Sequence, residues 1–242
     1  MAKRSSQSSS FRLEGLRGPV AAPKWRRAAA DGLGTGFLLA VVVGSGITGE
    51  RLSGGNEALA LLTNSLATGA GLLALILGLS RFSGAHLNPI VTLSEAWRGS
   101  FPWSDVPAYL ACQFLGALGG VVVAHGMFGK PILTFSQHPR SGVPQMLAEF
   151  VATFGLLLVI RGAARLGVPA VAVAVGAYIA AAYWFTSSTS FANPAVTLAR
   201  AFTDTFAGIR PIDAPGFVAA QLLGGAAAAW ALSRLNDGST RA

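Results

Sequence analysis

Two short segments carry the residues best suited to act on a small molecule: HLNPIVTL at His86 to Leu93 and FANPAVTL at Phe191 to Leu198. Asn is a preferred helix N-cap and Pro is favoured at the first helical position, so Asn88-Pro89-Ile90 and Asn193-Pro194-Ala195 each read as the start of a helix. The apolar stretch after the first, Pro89 to Trp97, is about nine residues, or roughly 14 Å, half of a hydrocarbon core of about 30 Å. Two such half-spans meeting N-terminus to N-terminus would together cross a bilayer. They would place both Asn side chains and two positive dipole ends at its midplane. With each amide oxygen capping its own helix, the NH2 groups are left free to donate to an oxygen lying between them. Positive helix ends at the same point repel cations, hydronium included.

The chain just before each half-span, Gly84 to Leu87 and Thr189 to Ala192, should be irregular and expose carbonyls. Such backbone is tolerated at membrane depth where it lines a watery cavity or is buried against protein, and both alternatives stand. Gly84, Ala85 and His86 would line the cavity in the first case; His86 equally fits a packing role against its loop. His125 and His138, placed in the loop after the third span, carry no specific signal. Asp31 and Glu149 are acidic residues inside apolar runs, which makes them candidates for proton relay or coupling. Gln113 and Gln221 read as polar glue between spans.

The elements that must position these groups are membrane spans. Of 242 residues, 52% are hydrophobic and only 12% charged, and 30 are glycine, a composition that lets helices approach closely in lipid. The net charge of +8 does not point to nucleic acid, because the basic residues are sorted. Seven of them, from Lys3 to Arg27, precede the first apolar run, and with both termini cytoplasmic only Arg51, Lys130, Arg140, Arg200 and Arg210 face outward. Full spans are expected near 28–48, 57–80, 105–126, 143–162, 169–186 and 213–233. A basic tail over 1–24 is expected to be disordered. The single cysteine, Cys112, excludes an internal disulfide.

An internal repeat supports the layout. ADGLGT at Ala30 to Thr35 matches AEFVAT at Ala148 to Thr153, the Asn-Pro copies follow, and PAYLACQFLGALGG from Pro107 matches PGFVAAQLLGGAAA from Pro215. The three matches occur in the same order. Each half, about 28–126 and 143–233, holds an odd number of full spans, so the second enters the membrane upside down. The expected fold class is therefore all-α: six transmembrane helices and two re-entrant half-helices in an inverted repeat, forming a domain over 25–236 with a tail at 237–242.

SGAHLNPIVTL, the second Asn-Pro-Ala and the duplication together resemble the aquaporin family of water and small-solute channels, over roughly residues 28 to 234. The resemblance implies one pore per subunit of a homotetramer. It implies that Asp31 and Glu149 hold the re-entrant loops in shape by accepting their hydrogen bonds. It also places a selectivity filter at Thr68, at Ala180 or Ala181, at Thr189 and Ser190, and at Val196. Most of the family carries Arg directly after the second Asn-Pro-Ala, where this chain has Val196, and the Asp that marks glycerol channels is replaced by Thr197. Small uncharged residues at these positions imply a wider, less polar outer filter. An aliphatic residue in place of the Arg resembles a bacterial subgroup associated with uncharged arsenic compounds. Arg200, one helical turn beyond Val196, can reach the outer mouth or bind loop backbone.

The expected function is passive diffusion of water and small neutral solutes across a lipid bilayer, in the cell membrane, without cofactor, metal or nucleic acid. A secondary transporter also uses inverted repeats and broken helices, but its coupling carboxylates would sit beside the Asn-Pro turns. Here those segments carry only Glu95 and Asp204. No metal-ligand cluster or nucleophile-base spacing suggests an enzyme or a catalytic residue.

Overall fold

The computed structural model describes residues 23–237; the remainder of the expected N-terminal tail and residues 238–242 lie outside the described residues. Eight α-helices are present among them: α1 (Lys24–Leu52), α2 (Glu57–Ser83), α3 (Pro89–Trp97), α4 (Val106–Phe128), α5 (Val143–Ala164), α6 (Val168–Phe185), α7 (Pro194–Arg200) and α8 (Ala214–Asp237). Six are long and apolar enough to cross a membrane. The two short ones, α3 and α7, are the half-helices. The first span begins earlier than composition suggested, because Pro23 precedes the helix and Lys24 already belongs to it.

Local chemistry sets the ends. Asn56 opens α2 by accepting the Leu59 N–H at 3.1 Å, and Gly84 closes it in the left-handed region at φ 87°. Gly129, at φ 63°, ends α4 in the same way. Helices α4, α5 and α6 each carry Pro in the first turn, where the lost N–H has no helical partner to miss.

The halves repeat one packing unit. In the first, α1 packs on α4 and α2; in the second, α5 packs on α8 and α6; α2 against α6 joins them. Small residues permit the crossings. A Cβ on Gly69 would lie 2.7 Å from the Gly176 carbonyl oxygen, and one on Gly36 would lie 2.9 Å from that of Gly116, so α2–α6 and α1–α4 meet backbone to backbone. In lipid, where apolar burial between helices gives little net gain, this close contact supplies dispersion instead. Leu, Trp and Phe side chains such as Leu33, Phe37, Leu115 and Trp230 remain on the outer surface, as a lipid-facing helix requires.

Candidate functional site: a cavity between two half-helices

Helices α3 and α7 begin against one another. Asn88 Oδ1 accepts the Ile90 N–H at 2.9 Å; Asn193 Oδ1 accepts those of Ala195 at 3.0 Å and Val196 at 3.3 Å. The amide nitrogens are not wholly free, which corrects the expectation above. Asn88 Nδ2 donates to the Ala192 carbonyl and Asn193 Nδ2 to the Leu87 carbonyl, both at 2.8 Å. Each loop thus caps its helix and ties the opposite loop. The reason is an unpaired carbonyl at membrane depth: Leu87 at φ 53° and Ala192 at φ 48° turn the chain where no helical N–H can serve, and the facing amide is the nearest donor. Among the described residues the second N–H of each Asn has no protein acceptor, and both Asn lie on the cavity wall.

Buried carboxylates hold both loops. Asp31, fully buried on α1, accepts from the backbone N–H of His86 at 2.9 Å and Leu87 at 3.0 Å, and from Ser83 Oγ at 2.9 Å. Glu149, fully buried on α5, accepts from Phe191 N and Ala192 N, both at 2.8 Å. The glutamines do more than join spans. Gln113 Nε2 donates to Asp31 at 2.7 Å and to Thr92 Oγ1 at 3.0 Å; Gln221 Nε2 donates to Glu149 at 2.6 Å and to Thr197 Oγ1 at 2.8 Å. Each therefore links a carboxylate to a half-helix. Thr92 was not singled out in the sequence, and Thr197 only as the residue after Val196; their identical place four residues after each Asn was the available signal for this linking role.

A cavity of about 540 Å³ runs past this junction. Glu95, Arg98 and Arg161 lie at one end; Leu38, Val42, Leu72 and Ile76 form apolar wall; Thr68, Tyr183, Ser190, Val196 and Arg200 lie toward the other end. Gly84, Ala85 and His86 are also on the wall. His86 is packed as well, with its ring 4.9 Å from Phe101 and 5.4 Å from Tyr109 and its Nδ1 3.0 Å from Thr92 Oγ1.

Several expected wall residues are elsewhere. Ala181 is exposed on the outside of α6, and Ala180 packs toward Gly69 on α2. The inward face of α6 is Ala172, Val175, Gly176, Ile179, Ala182 and Tyr183, a period of three and four, so Tyr183 takes the expected position and its hydroxyl lies 3.1 Å from Thr68 Oγ1. Counting across the irregular loop had misphased the helix. Pro89, Ile90, Pro194 and Ala195 are buried behind the asparagines and off the wall; Ile90, for one, packs with Leu157 and Ala228. Thr189 is also off the wall and accepts from Arg140 at 3.3 Å. Ser190 Oγ is buried without a hydrogen-bond partner among the described residues. His125 is not a loop residue: it lies in the last turn of α4, buried between the Pro131 carbonyl at 2.5 Å and Thr203 Oγ1 at 2.7 Å. Arg200 meets both descriptions offered for it, lining the cavity and donating Nε to the Ala207 carbonyl.

The connection between α4 and α5 reaches over this end. Arg140 donates Nε to the Gly208 carbonyl at 2.7 Å, Nη1 to the Ser188 carbonyl at 3.3 Å and Nη2 to the Phe206 carbonyl at 3.3 Å. Burial pulls its guanidinium below the usual arginine value. Nothing in the sequence distinguished this arginine from other loop cations. Nearby, burial pushes the Asp213 carboxyl upward, but hydrogen bonds from Arg210 and from the Arg140 backbone N–H outweigh it and hold the group below its ordinary value.

Six spans, two half-helices and a cavity passing two capped asparagines define a membrane channel scaffold. The model of the major intrinsic protein family matches residues 20–166 and 161–242, and the chain belongs to that family. Aquaglyceroporin AqpS of Rhizobium meliloti (strain 1021) is 53% identical over 209 residues, covering 86% of this chain and 89% of that one. Aquaporin NIP1-4 of Oryza sativa subsp. japonica is 34% identical, covering 84% and 74%. The X-ray structure of the aquaglyceroporin from Plasmodium falciparum superposes with a TM-score of 0.69 at 21% identity, covering 86% of this chain and 95% of that one, a likeness of fold.

Proposed function

We propose that the protein is a passive channel for water and small neutral hydroxylated solutes, of glycerol size and including trihydroxy metalloid acids such as arsenous acid. The observation that carries this reading is the wall of the cavity: between Glu95 at one end and Arg200 at the other it presents apolar side chains, amides, hydroxyls and the His86 imidazole and, among the described residues, no carboxylate. Asp31 and Glu149, which a coupled transporter would use, are turned away and saturated with loop donors. The pore midplane is assigned to Asn88 and Asn193, the outer filter to Thr68, Tyr183, Ser190 and Val196, and the loop-holding role to Asp31, Glu149, Gln113 and Gln221. A solute hydroxyl passing Thr68 and Tyr183 on one side and Ser190 on the other meets a polar stripe, with Val196 as apolar wall, which suits a molecule with both kinds of surface. The similarity to a protein named an aquaglyceroporin favours the same solute range.

The assembly proposed with this is a homotetramer in the plasma membrane, with both termini cytoplasmic and the channel domain over 25–236. With the termini so oriented, α3 would lie on the cytoplasmic side and α7 on the outer side. Proteoliposome flux tests the reading: uptake of glycerol and of arsenous acid should follow the solute gradient almost linearly and ignore an imposed proton or sodium gradient. Accumulation against a gradient would transfer the protein to the coupled transporters.

A further inference from the structure

Both ends of the cavity carry guanidinium groups, but among the described residues only one carries a carboxylate beside them. At the end reached by α3, Arg98 and Arg161 lie on the wall with Glu95, which pairs with Arg98 at 2.8 Å. At the end reached by α7, two guanidiniums approach one aromatic ring: Arg200 lies 3.3 Å and Arg140 5.1 Å from the centroid of Phe191. Among the described residues neither forms an ion pair with a carboxylate. Arg200 is only 2% exposed, yet among the described residues its Nη nitrogens have no protein acceptor, and its side chain lies on the cavity wall. A buried guanidinium is costly unless its donors are used or its charge acts on something passing by.

Arg140 makes that placement possible. Its Nε and Nη2 hold the carbonyls of Gly208 and Phe206, which flank the Ala207 carbonyl that receives Arg200 Nε. Its Nη1 holds the Ser188 carbonyl and Thr189 Oγ1, at the base of the loop that carries Ser190 and Phe191. The residue thus fastens both segments between which the Arg200 side chain lies, and it adds a second positive charge behind it.

We infer that Arg200, positioned by Arg140, is the cation barrier of this pore, set one helical turn outward from Val196 so that charge exclusion and solute width are separated. Valine at the constriction leaves room for a solute, while the paired guanidiniums raise the potential that a metal cation or hydronium meets before it. The inference rests on the proposed channel function.

The test uses full-length protein in liposomes. Sodium and proton leak under a potassium diffusion potential is divided by osmotic water flux in the same vesicles, which corrects for the number of open channels. Arg200→Gln should raise this ratio about tenfold, a factor modest for loss of one unscreened charge in a narrow site. Arg200→Lys, which keeps the charge, should stay near wild type. Arg140→Gln should raise the ratio by a smaller factor, and Arg140→Lys should restore most of it, an outcome that loss of loop packing alone would not give. Should Arg140→Gln fail to fold, Ser190→Asp decides: it keeps both arginines and sets a carboxylate on the same stretch of wall, so the ratio should again rise. An unchanged ratio in Arg200→Gln and Ser190→Asp overturns the barrier. Wild-type vesicles with neither water nor glycerol flux above protein-free ones overturn the proposed function, and this inference with it.

Discussion

The two re-entrant regions share one scaffold and present different surfaces. An ungapped shift of 105 positions (193 − 88) pairs Ser83 with Ser188, His86 with Phe191, Asn88 with Asn193 and Thr92 with Thr197. The supporting bonds follow the pairing: Ser83 Oγ accepts the Ala85 N–H at 3.0 Å and Ser188 Oγ that of Ser190 at 3.2 Å, while Asp31 and Glu149 each take the two N–H groups before their Asn. Even the ring contact is repeated, His86 tilted against Tyr109 in one half and Phe191 edge-to-face with Phe217 in the other. What differs is the residue the same geometry displays. Where one half shows an imidazole and, at the helix end, Glu95, the other shows a phenyl ring and Arg200. Bonds at membrane depth tolerate little variation because every backbone group needs a partner, whereas side chains on the wall can vary without breaking them.

If the scaffold is common, removing its carboxylates should have the largest effect, and an unequal one. Asp31→Ala strands donors from Ser83, His86, Leu87 and Gln113, and Glu149→Ala strands those of Phe191, Ala192 and Gln221. At about 1 kcal/mol or more for each buried group left unpaired, both should lose several kcal/mol, Asp31→Ala the more. Thermal unfolding in detergent and the yield of folded protein measure this. Equal, small losses would mean the loops hold themselves.

The asparagines should behave as a matched pair. Asn88→Ala and Asn193→Ala each remove a cap worth about 1 kcal/mol, and each also frees a carbonyl of the opposite loop. Losses of about 2 kcal/mol are expected in both, with proton leak rising as the helix ends loosen. A stable Asn193→Ala protein with unchanged water and proton flux would remove the midplane role proposed for it.

The smallest effect concerns the connection after α7, where Arg210 and Asp213 form an ionic clip. Asp213 has its carboxyl held below the ordinary value, so its contribution to stability is present above the unfolded-state pKa and is lost as pH falls through the lower folded-state pKa. Acidifying from neutral pH through the carboxylate range should therefore loosen the connections at 129–142 and 201–213, seen as faster amide exchange there. Asp213→Asn should show the loosened state already at neutral pH by no more than about 1 kcal/mol.

Legibility in the sequence divides along the same line. The half-helix Pro89–Trp97 was readable because its start is local chemistry, an Asn cap followed by Pro. The six spans were readable because lipid demands long apolar runs. The α6 wall residue was misread because an ungapped count passed through residues 186–193, which are not helical, while the buried period on α6 itself pointed to Tyr183. The cross-loop bonds of Asn88 and Asn193 and the reach of Arg140 depend on segments far apart in the chain, and no local pattern encodes them.

The central claim is that the outer constriction is wide because Val196 stands where an arginine would narrow it. Swelling of proteoliposomes in water, glycerol and arsenous acid, for wild type and Val196→Arg, tests it most directly. Wild type should pass all three, and Val196→Arg should cut glycerol and arsenous acid flux much more than water flux, since the guanidinium consumes width while still offering donors to water. A wild type that passes water and excludes every larger solute would contradict the claim.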